Sequence, residues 1–341
     1  MKKQTFNNSK AISIAPAKVI LSGEHSTLYG ASALAMTISL YLRVSLTIIE
    51  SPLIRILNPK SIEYSFETCR LIAQKIDQRY SDYLAGNILI TSVLTQTDDL
   101  ILYIFNRHIR DIPYGISLDL DSKIPIGGGF GSSSAIISAL SLALSAITGK
   151  TLQKKEKLID ETSYIERLQH GKSGIIDSTA IVTGGIVYVN LSHTIKHENL
   201  PGEWWAINTG KPESSTGECV SFVDQYFSHS NIWTEFNAIT NQMMDGVQKQ
   251  DEEKVYSSIR TNQSLLQAIG VVPQSVARFI RSIENKGGSA KISGAGSVRG
   301  EQAGLVLVGG YNPQELAILY GYTCNKIKGE KNGTMLAENS C

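Results

Sequence analysis

Three short segments of this chain combine residue types that can do chemistry. The first runs Pro125-Ile-Gly127-Gly128-Gly129-Phe-Gly131 and continues into Ser132, Ser133, Ser134 and Ala135. Glycines let backbone N–H groups approach a ligand closely and take up positive φ. A helix starting at Ser132 would add unpaired N–H groups and the positive end of its dipole, and phosphate is the natural guest of such a place. The segment lacks the lysine of GxxxxGK[ST] and does not match GxGxxG. The bland alternative is a tight turn with a serine-rich helix cap, but four glycines in five positions are more than a cap needs. The second segment places Lys18 after Ala15-Pro16-Ala17, then an apolar run, then Gly23-Glu24-His25. The third is Glu166-Arg-Leu-Gln-His170-Gly-Lys-Ser173-Gly-Ile-Ile-Asp177. Taken singly, Lys18 reads as a solvated edge residue, Glu24 as a surface charge, and the third segment as a glycine-capped helix end followed by an aspartate cap.

A strand must lead into the glycine-rich turn, and a helix must leave it. Ile116, Leu118 and Leu120 alternate with polar residues, as a half-buried strand does, and Pro125 ends it. From Ser132 to Thr148 apolar residues recur at helical spacing and Gly149 closes the segment; residues 155–169 read as another helix. Phe66, Cys69, Ile72, Ile76, Tyr80 and Tyr83 predict an amphipathic helix over 66–84, and a longer, more apolar one is expected over 88–109 with Asp98 and Asp99 in its middle. Short β-branched runs at 12–14, 44–49 and 186–189 predict strands. The polar stretch 192–203, with Pro201 and Gly202, reads as a crossing between domains, set at 1–195 and 196–341. Beyond it come a strand at 205–209, helices near 232–247, 252–268 and 273–285, and strands near 289–293 and 304–308. Interleaved helices and strands make the fold class α+β.

At 341 residues the chain exceeds the size at which one core usually keeps growing. With 42% apolar and 18% charged residues it is not composed like a disordered chain. Lys plus Arg (32) nearly balance Asp plus Glu (31), so no global field exists to hold nucleic acid or an anionic membrane. The first ten residues lack the apolar core of a secretory leader, and no run of about 18 apolar residues suits a membrane span. Cys69, Cys219, Cys324 and Cys341 are scattered without metal-binding spacing, and read as free thiols of a cytoplasmic protein. His193 and His197 read as solvated loop histidines rather than a metal site, and Trp204-Trp205 as core or domain interface rather than a platform for a base.

Together the three segments resemble the GHMP kinase superfamily, and within it the mevalonate kinase family most closely. Residues 15–30 are similar to that family's APxKVILxGEHxxxxG opening, and 125–135 to its PxGxGxGSSA phosphate loop. Asp177 follows Glu166 at the family's spacing; Asn208–Thr216, the run from Asn262-Gln263 to Gly270, and Lys291–Gly296 resemble later family segments. The resemblance implies a two-domain fold, the first domain like ribosomal protein S5 domain 2 and the second ferredoxin-like. It implies ATP and Mg²⁺ as cofactors and transfer of a phosphoryl group to the hydroxyl of mevalonate. Pro125, Gly127, Gly128, Gly129, Gly131, Ser132, Ser133 and Ser134 would hold the nucleotide phosphates, with Ser133 and Glu166 at the metal. Asp177 would orient or deprotonate the acceptor hydroxyl, and Lys18 would neutralise charge at the transferring phosphoryl. Glu24, His25, Thr216, Gly294 and Ala295 would contact the acceptor. The implied partner is a small molecule, with neither nucleic acid nor membrane, and a homodimer is left open.

Two departures stand out. The Ser-Gly pair of the third segment is displaced by one residue, and Ser297-Val298-Arg299 replaces family glycines. A β-branched valine does not take positive φ cheaply, so that loop must follow a different path. Arg299 either points to solvent, or pairs with Glu301, or reaches an anionic group in the cleft. The altered loop also leaves room for other acceptors, such as a phosphorylated or differently branched hydroxy acid, and for a non-catalytic sensor on the same fold.

Overall fold

The computed structural model describes residues 9–58, 60–109, 112–149, 152, 154–171, 175–190, 194–197 and 199–337. Its first part comprises strands β1 (Lys10–Ser22), β2 (Ala33–Ile49), β3 (Leu53–Ile56) and β4 (Ile62–Ser65), helices α1 (Phe66–Leu84) and α2 (Asp99–His108), and strand β5 (Gly115–Ser122). Helices α3 (Ser132–Ile147), α4 (Lys155–His170) and α5 (Ile175–Thr183) follow, then the hairpin β6 (Ile186–Val189) and β7 (Thr194–His197). The second part holds β8 (Trp204–Asn208), helices α6 (Thr216–Phe227), α7 (Ile232–Lys249), α8 (Glu252–Ala268) and α9 (Gln274–Glu284), strands β9 (Ser289–Ile292) and β10 (Leu305–Gly309), α10 (Gln314–Leu319) and β11 (Thr323–Ile327). The chain then returns as β12 (Met335–Leu336) to the first sheet.

Among the described residues the strands form two sheets. The first runs β12-β1-β2-β5-β3-β4, with β6 beside the start of β2 and β7 beside β6. The second runs β11-β8-β10-β9 and is antiparallel throughout. Counted within this part the order is 4-1-3-2, the ferredoxin-like arrangement expected. Thr194–His197 of the polar stretch thus lie in a hairpin; His193 is outside the described residues.

Strand alternation decides how the two sheets share their cores. Trp204 and Ala206 on β8, with Leu305 and Leu307 on β10, face the core of the first part. Trp205, Ile207, Val306 and Val308 face the opposite way, onto α6, α8 and α9. The Trp204-Trp205 pair is therefore split across one strand, each ring 4% exposed, because successive side chains alternate across the sheet.

β1 and β2 are much longer than their β-branched runs suggest. β1 is covered on both faces, so it shows no polar alternation to read. The helix expected over 88–109 is broken: only Asp99–His108 forms α2, preceded by a short 3₁₀ turn at Ile90–Ser92. The cause is Asp99, whose carboxylate accepts N–H groups of Thr95 and Gln96 (2.8 and 3.1 Å) and closes a turn there instead. Cys69 and Cys219 are buried free thiols and Cys324 is half-buried; Cys341 lies outside the described residues. No described helix is long and apolar enough to cross a membrane.

Candidate active site

β1 carries Lys18 to the edge of the glycine-rich turn and fastens it there. The Lys18 N–H donates to the Phe130 carbonyl at 2.9 Å. Gly131, at φ 75°, lets the lysine stem pass: a Cβ at Gly131 would stand 2.8 Å from Lys18 Cγ. Gly129, also at positive φ, lies against the second sheet, where a Cβ would stand 2.7 Å from the Ser293 carbonyl. These two positions require glycine for both space and conformation.

α3 begins at Ser132 with Gly131 as its N-cap and no side-chain cap. Ser133 and Ser134 are otherwise committed. Ser133 Oγ donates to Glu166 Oε1 at 3.0 Å, and Ser134 Oγ donates to the same oxygen. The first-turn N–H groups therefore keep no side-chain acceptor, which suits an incoming anion. A serine-rich cap, the bland alternative, is not what forms. Glu166 lies on α4, 2% exposed, and its Oε2 is buried without a partner. Burial, and then the negative charge of Asp177, push its carboxyl up to about 7.

Asp177 sits in the first turn of α5 and meets Lys18 across the cleft, Nζ to Oδ1 at 2.9 Å. The lysine side chain is 2% exposed and the aspartate 30%, so the carboxylate is the member of the pair that faces incoming molecules. Ser173 and Gly174, the displaced pair of the third segment, lie outside the described residues.

The far wall of the cleft is built by the turn after β1. Lys291 of β9 forms a buried ion pair with Glu24 Oε1, while Glu24 Oε2 stays buried and unpartnered. His25 stands at φ 61°, and its Nε2 lies 3.0 Å from the Ala295 carbonyl. A carbonyl only accepts, so Nε2 carries the proton, and burial, which lowers the His25 pKa, keeps the ring neutral. Nδ1 is then an acceptor, buried and unpartnered. Glu24 and His25 thus offer two acceptors, which suit hydroxyl groups better than a carboxylate.

One cleft, with a cavity volume of about 150 Å³, joins Lys18, Asp177, Glu166 and Gly129 to Glu24 and His25. Thr216, Gly294 and Ala295 line it from the second part of the chain. Pro125, Gly127, Gly128, Gly131, Ser132, Ser133 and Ser134 do not line this cavity; they form the adjoining turn and helix start. Arg299 does not enter it. Its guanidinium donates to the Glu213 carbonyl (2.9 Å) and to Glu218 Oε1 (2.8 Å), not to Glu301, and its side chain is 58% exposed. Two residues join the site that motif reading did not assign. His170 lines the cleft at the end of α4, its pKa lowered by burial, and Lys291 fixes Glu24. His170 stood within the third segment and could have been found; the Lys291–Glu24 pairing has no local signal.

Comparison with known proteins gives a consistent result. Residues 99–185 match the family model of the GHMP kinase N-terminal domain. The mevalonate kinase of Archaeoglobus fulgidus is 30% identical over 287 residues, covering 84% of this chain and 89% of that protein. Among solved structures, the Methanococcus jannaschii mevalonate kinase superposes with a TM-score of 0.74 at 22% identity, over 95% of this chain and 99% of that one. The Lactococcus lactis galactokinase complexed with galactose reaches 0.75 at 12% identity, over 96% and 95%. Structural likeness therefore establishes the fold without choosing an acceptor, while the sequence identity is with mevalonate kinases. The chain belongs to the mevalonate kinase family of the GHMP kinase superfamily.

Proposed function

We propose that the protein transfers the γ-phosphoryl group of ATP to the hydroxyl of mevalonate, giving phosphomevalonate for isoprenoid precursor synthesis. The observation that carries this reading is the pair of Lys18 and Asp177, set at 2.9 Å in a cleft that also holds Glu166 and ends on the glycine-rich turn. Phosphoryl transfer asks a protein mainly for positioning and charge stabilisation. The uncapped first turn of α3 and the glycine backbone would hold the phosphates. Asp177 would take the proton of the acceptor hydroxyl, and Lys18 would face the charge that develops at the transferring group.

The donor set fits Mg²⁺. Glu166 presents a buried carboxylate oxygen without a partner, and the Ser133 hydroxyl lies beside it. Among the described residues no cluster of three His, Cys, Asp or Glu forms a metal site by itself, which matches an ion held by one carboxylate together with substrate phosphates. Bound there, Mg²⁺ would neutralise the phosphate oxygens. Glu24 and His25 would accept hydroxyl groups of the acceptor, and Thr216, Gly294 and Ala295 would complete its enclosure. The outward course of Arg299 leaves the cleft open to an acceptor. A homodimer remains part of the same proposal, as does a two-domain division, with the boundary placed after β7 rather than at 195/196, because Thr194–His197 pair with β6 of the first sheet.

A coupled assay of ADP release against mevalonate, phosphomevalonate, galactose and homoserine tests it. Turnover with mevalonate and Mg²⁺ is expected. A preference for any other acceptor overturns the mevalonate assignment, and absence of acceptor-dependent ADP release overturns the kinase reading.

A further inference from the structure

The glycine-rich turn from Pro125 to Gly131 carries no cation of its own. Lys18, whose backbone N–H donates to Phe130 of the turn, has its ammonium committed to Asp177. Lys123, the nearest in sequence, lies 3.2 Å from Asp121 and is 73% exposed. A nucleotide triphosphate keeps net negative charge even when one divalent cation is bound, so the turn as built leaves part of that charge unmatched.

A lysine stem does reach the turn, from the loop that leaves the other sheet. Lys211 follows β8, and its stem lies over the open face of Gly127: a Cβ at Gly127 would stand 4.0 Å from Lys211 Cγ. Its neighbour Pro212 and the Gly128 carbonyl close on Gly304 from two sides, where a Cβ would stand 3.4 and 3.1 Å from them. The root of this turn is held firmly. Thr209 N–H and Oγ1 both donate to the Gly304 carbonyl (2.8 and 2.9 Å), Thr209 Oγ1 accepts the Ala303 N–H (3.1 Å), and Asn208 Oδ1 accepts the Gly210 N–H (3.0 Å). Among the described residues no carboxylate or carbonyl takes the Lys211 ammonium. A fixed root thus delivers a flexible stem with an uncommitted charge to the phosphate-binding turn.

The geometry points to Lys211 as a nucleotide-phosphate ligand that the second sheet contributes to the glycine-rich turn of the first. The inference rests on the kinase reading. A lysine suits the task as a compact charge on a long stem, able to follow a phosphate group without fixed bidentate geometry. It also gives the second sheet a direct stake in nucleotide binding, in addition to its lining of the acceptor cleft.

The test is equilibrium binding of a non-hydrolysable ATP analogue, with Mg²⁺, and of adenosine, to the full chain and its variants Lys211→Ala, Lys211→Arg and Lys123→Ala. Lys211→Ala should bind the ATP analogue about tenfold more weakly, the scale of one partly exposed charge-assisted contact. Its affinity for adenosine should be unchanged, Lys211→Arg should recover most of the loss, and Lys123→Ala should behave as the parent. A Lys211→Ala protein that binds the analogue as tightly as the parent overturns the inference, as does an equal loss for adenosine, which would mark a structural role. A parent chain that binds no ATP analogue overturns the kinase reading itself, and Lys211 with it.

Discussion

Lys291, on β9 of the second sheet, ends on the carboxylate of Glu24, in the turn that follows β1 of the first, and the two side chains are 0% and 1% exposed. Burial lowers the Lys291 pKa while Glu24 raises it. Two charges this deep persist only as a pair, because removing one strands the other in an apolar surround. Lys291→Met should therefore destabilise the fold by ~3–5 kcal/mol and raise KM for the acceptor, since Glu24 loses its anchor. Adding Glu24→Gln should recover part of the stability but none of the acceptor affinity. Urea unfolding of the single and double variants checks this; strictly additive losses would show that the two side chains do not act as a pair.

Asp177→Asn keeps the shape of the side chain and removes its basicity. We expect kcat to fall by at least ~10²-fold, the usual scale for a lost general base, with the affinity for an ATP analogue nearly intact. Wild-type turnover in this variant would take Asp177 out of the proton transfer.

Glu166→Gln and Ser133→Ala should each raise the Mg²⁺ concentration needed for half-maximal rate, Glu166→Gln the more because a full charge is lost. Titrations at fixed ATP decide it, and curves that match the parent would remove both residues from the metal.

The same carboxyl carries a pH signature. Folding lifts Glu166 from 4.5 to about 7, so in the metal-free protein the folded state holds a proton that the unfolded chain has lost between those values. Its contribution to stability is full below the lower value and is lost as pH rises through the upper one. The metal-free Tm should thus decline from about pH 5 to about pH 8 more steeply in the parent than in Glu166→Gln. Mg²⁺ requires the ionised form, so its affinity should rise over the same interval. Parallel Tm profiles for the two proteins would contradict the assignment.

Arg299→Ala should leave KM for ATP and for the acceptor unchanged. The Arg299–Glu218 pair is largely solvent-exposed, so its loss should cost no more than ~1 kcal/mol. A strong rise in either KM would mean that the arginine swings into the cleft when ligands bind.

What was legible in the sequence follows from how local each signal is. α1 was bounded correctly at Phe66–Leu84 because its apolar stripe and its cap, Ser65 accepting the Thr68 N–H, are both written within one short stretch. Lys18, Glu166 and Asp177 each read as an ordinary surface or capping residue when taken singly, and only the family resemblance of the three segments together marked them out; the structure brings them to one cleft. The turn made by Asp99 was not legible, since an aspartate inside an apolar run reads equally well as a surface position. Of the courses left open for Arg299, the outward one is what forms, and its partner there, Glu218, is distant in sequence and brought to it by the start of α6.

β12 has a bearing on how the molecule is made. Ser13 pairs with Leu336 and Ile14 with Met335, so among the described residues the strand that carries Lys18 takes its outer strand neighbour from a segment more than 300 residues further along. During synthesis the first sheet must wait for that segment, with the outer margin of β1 open to any other extended chain nearby. A nascent chain halted after β11 would already hold Lys18, Glu166 and Asp177, with the margin unfinished only nearer the start of the same strand, at Ser13 and Ile14. Loss of the last dozen residues should accordingly show first as clumping of newly made protein, before any defect in turnover is seen.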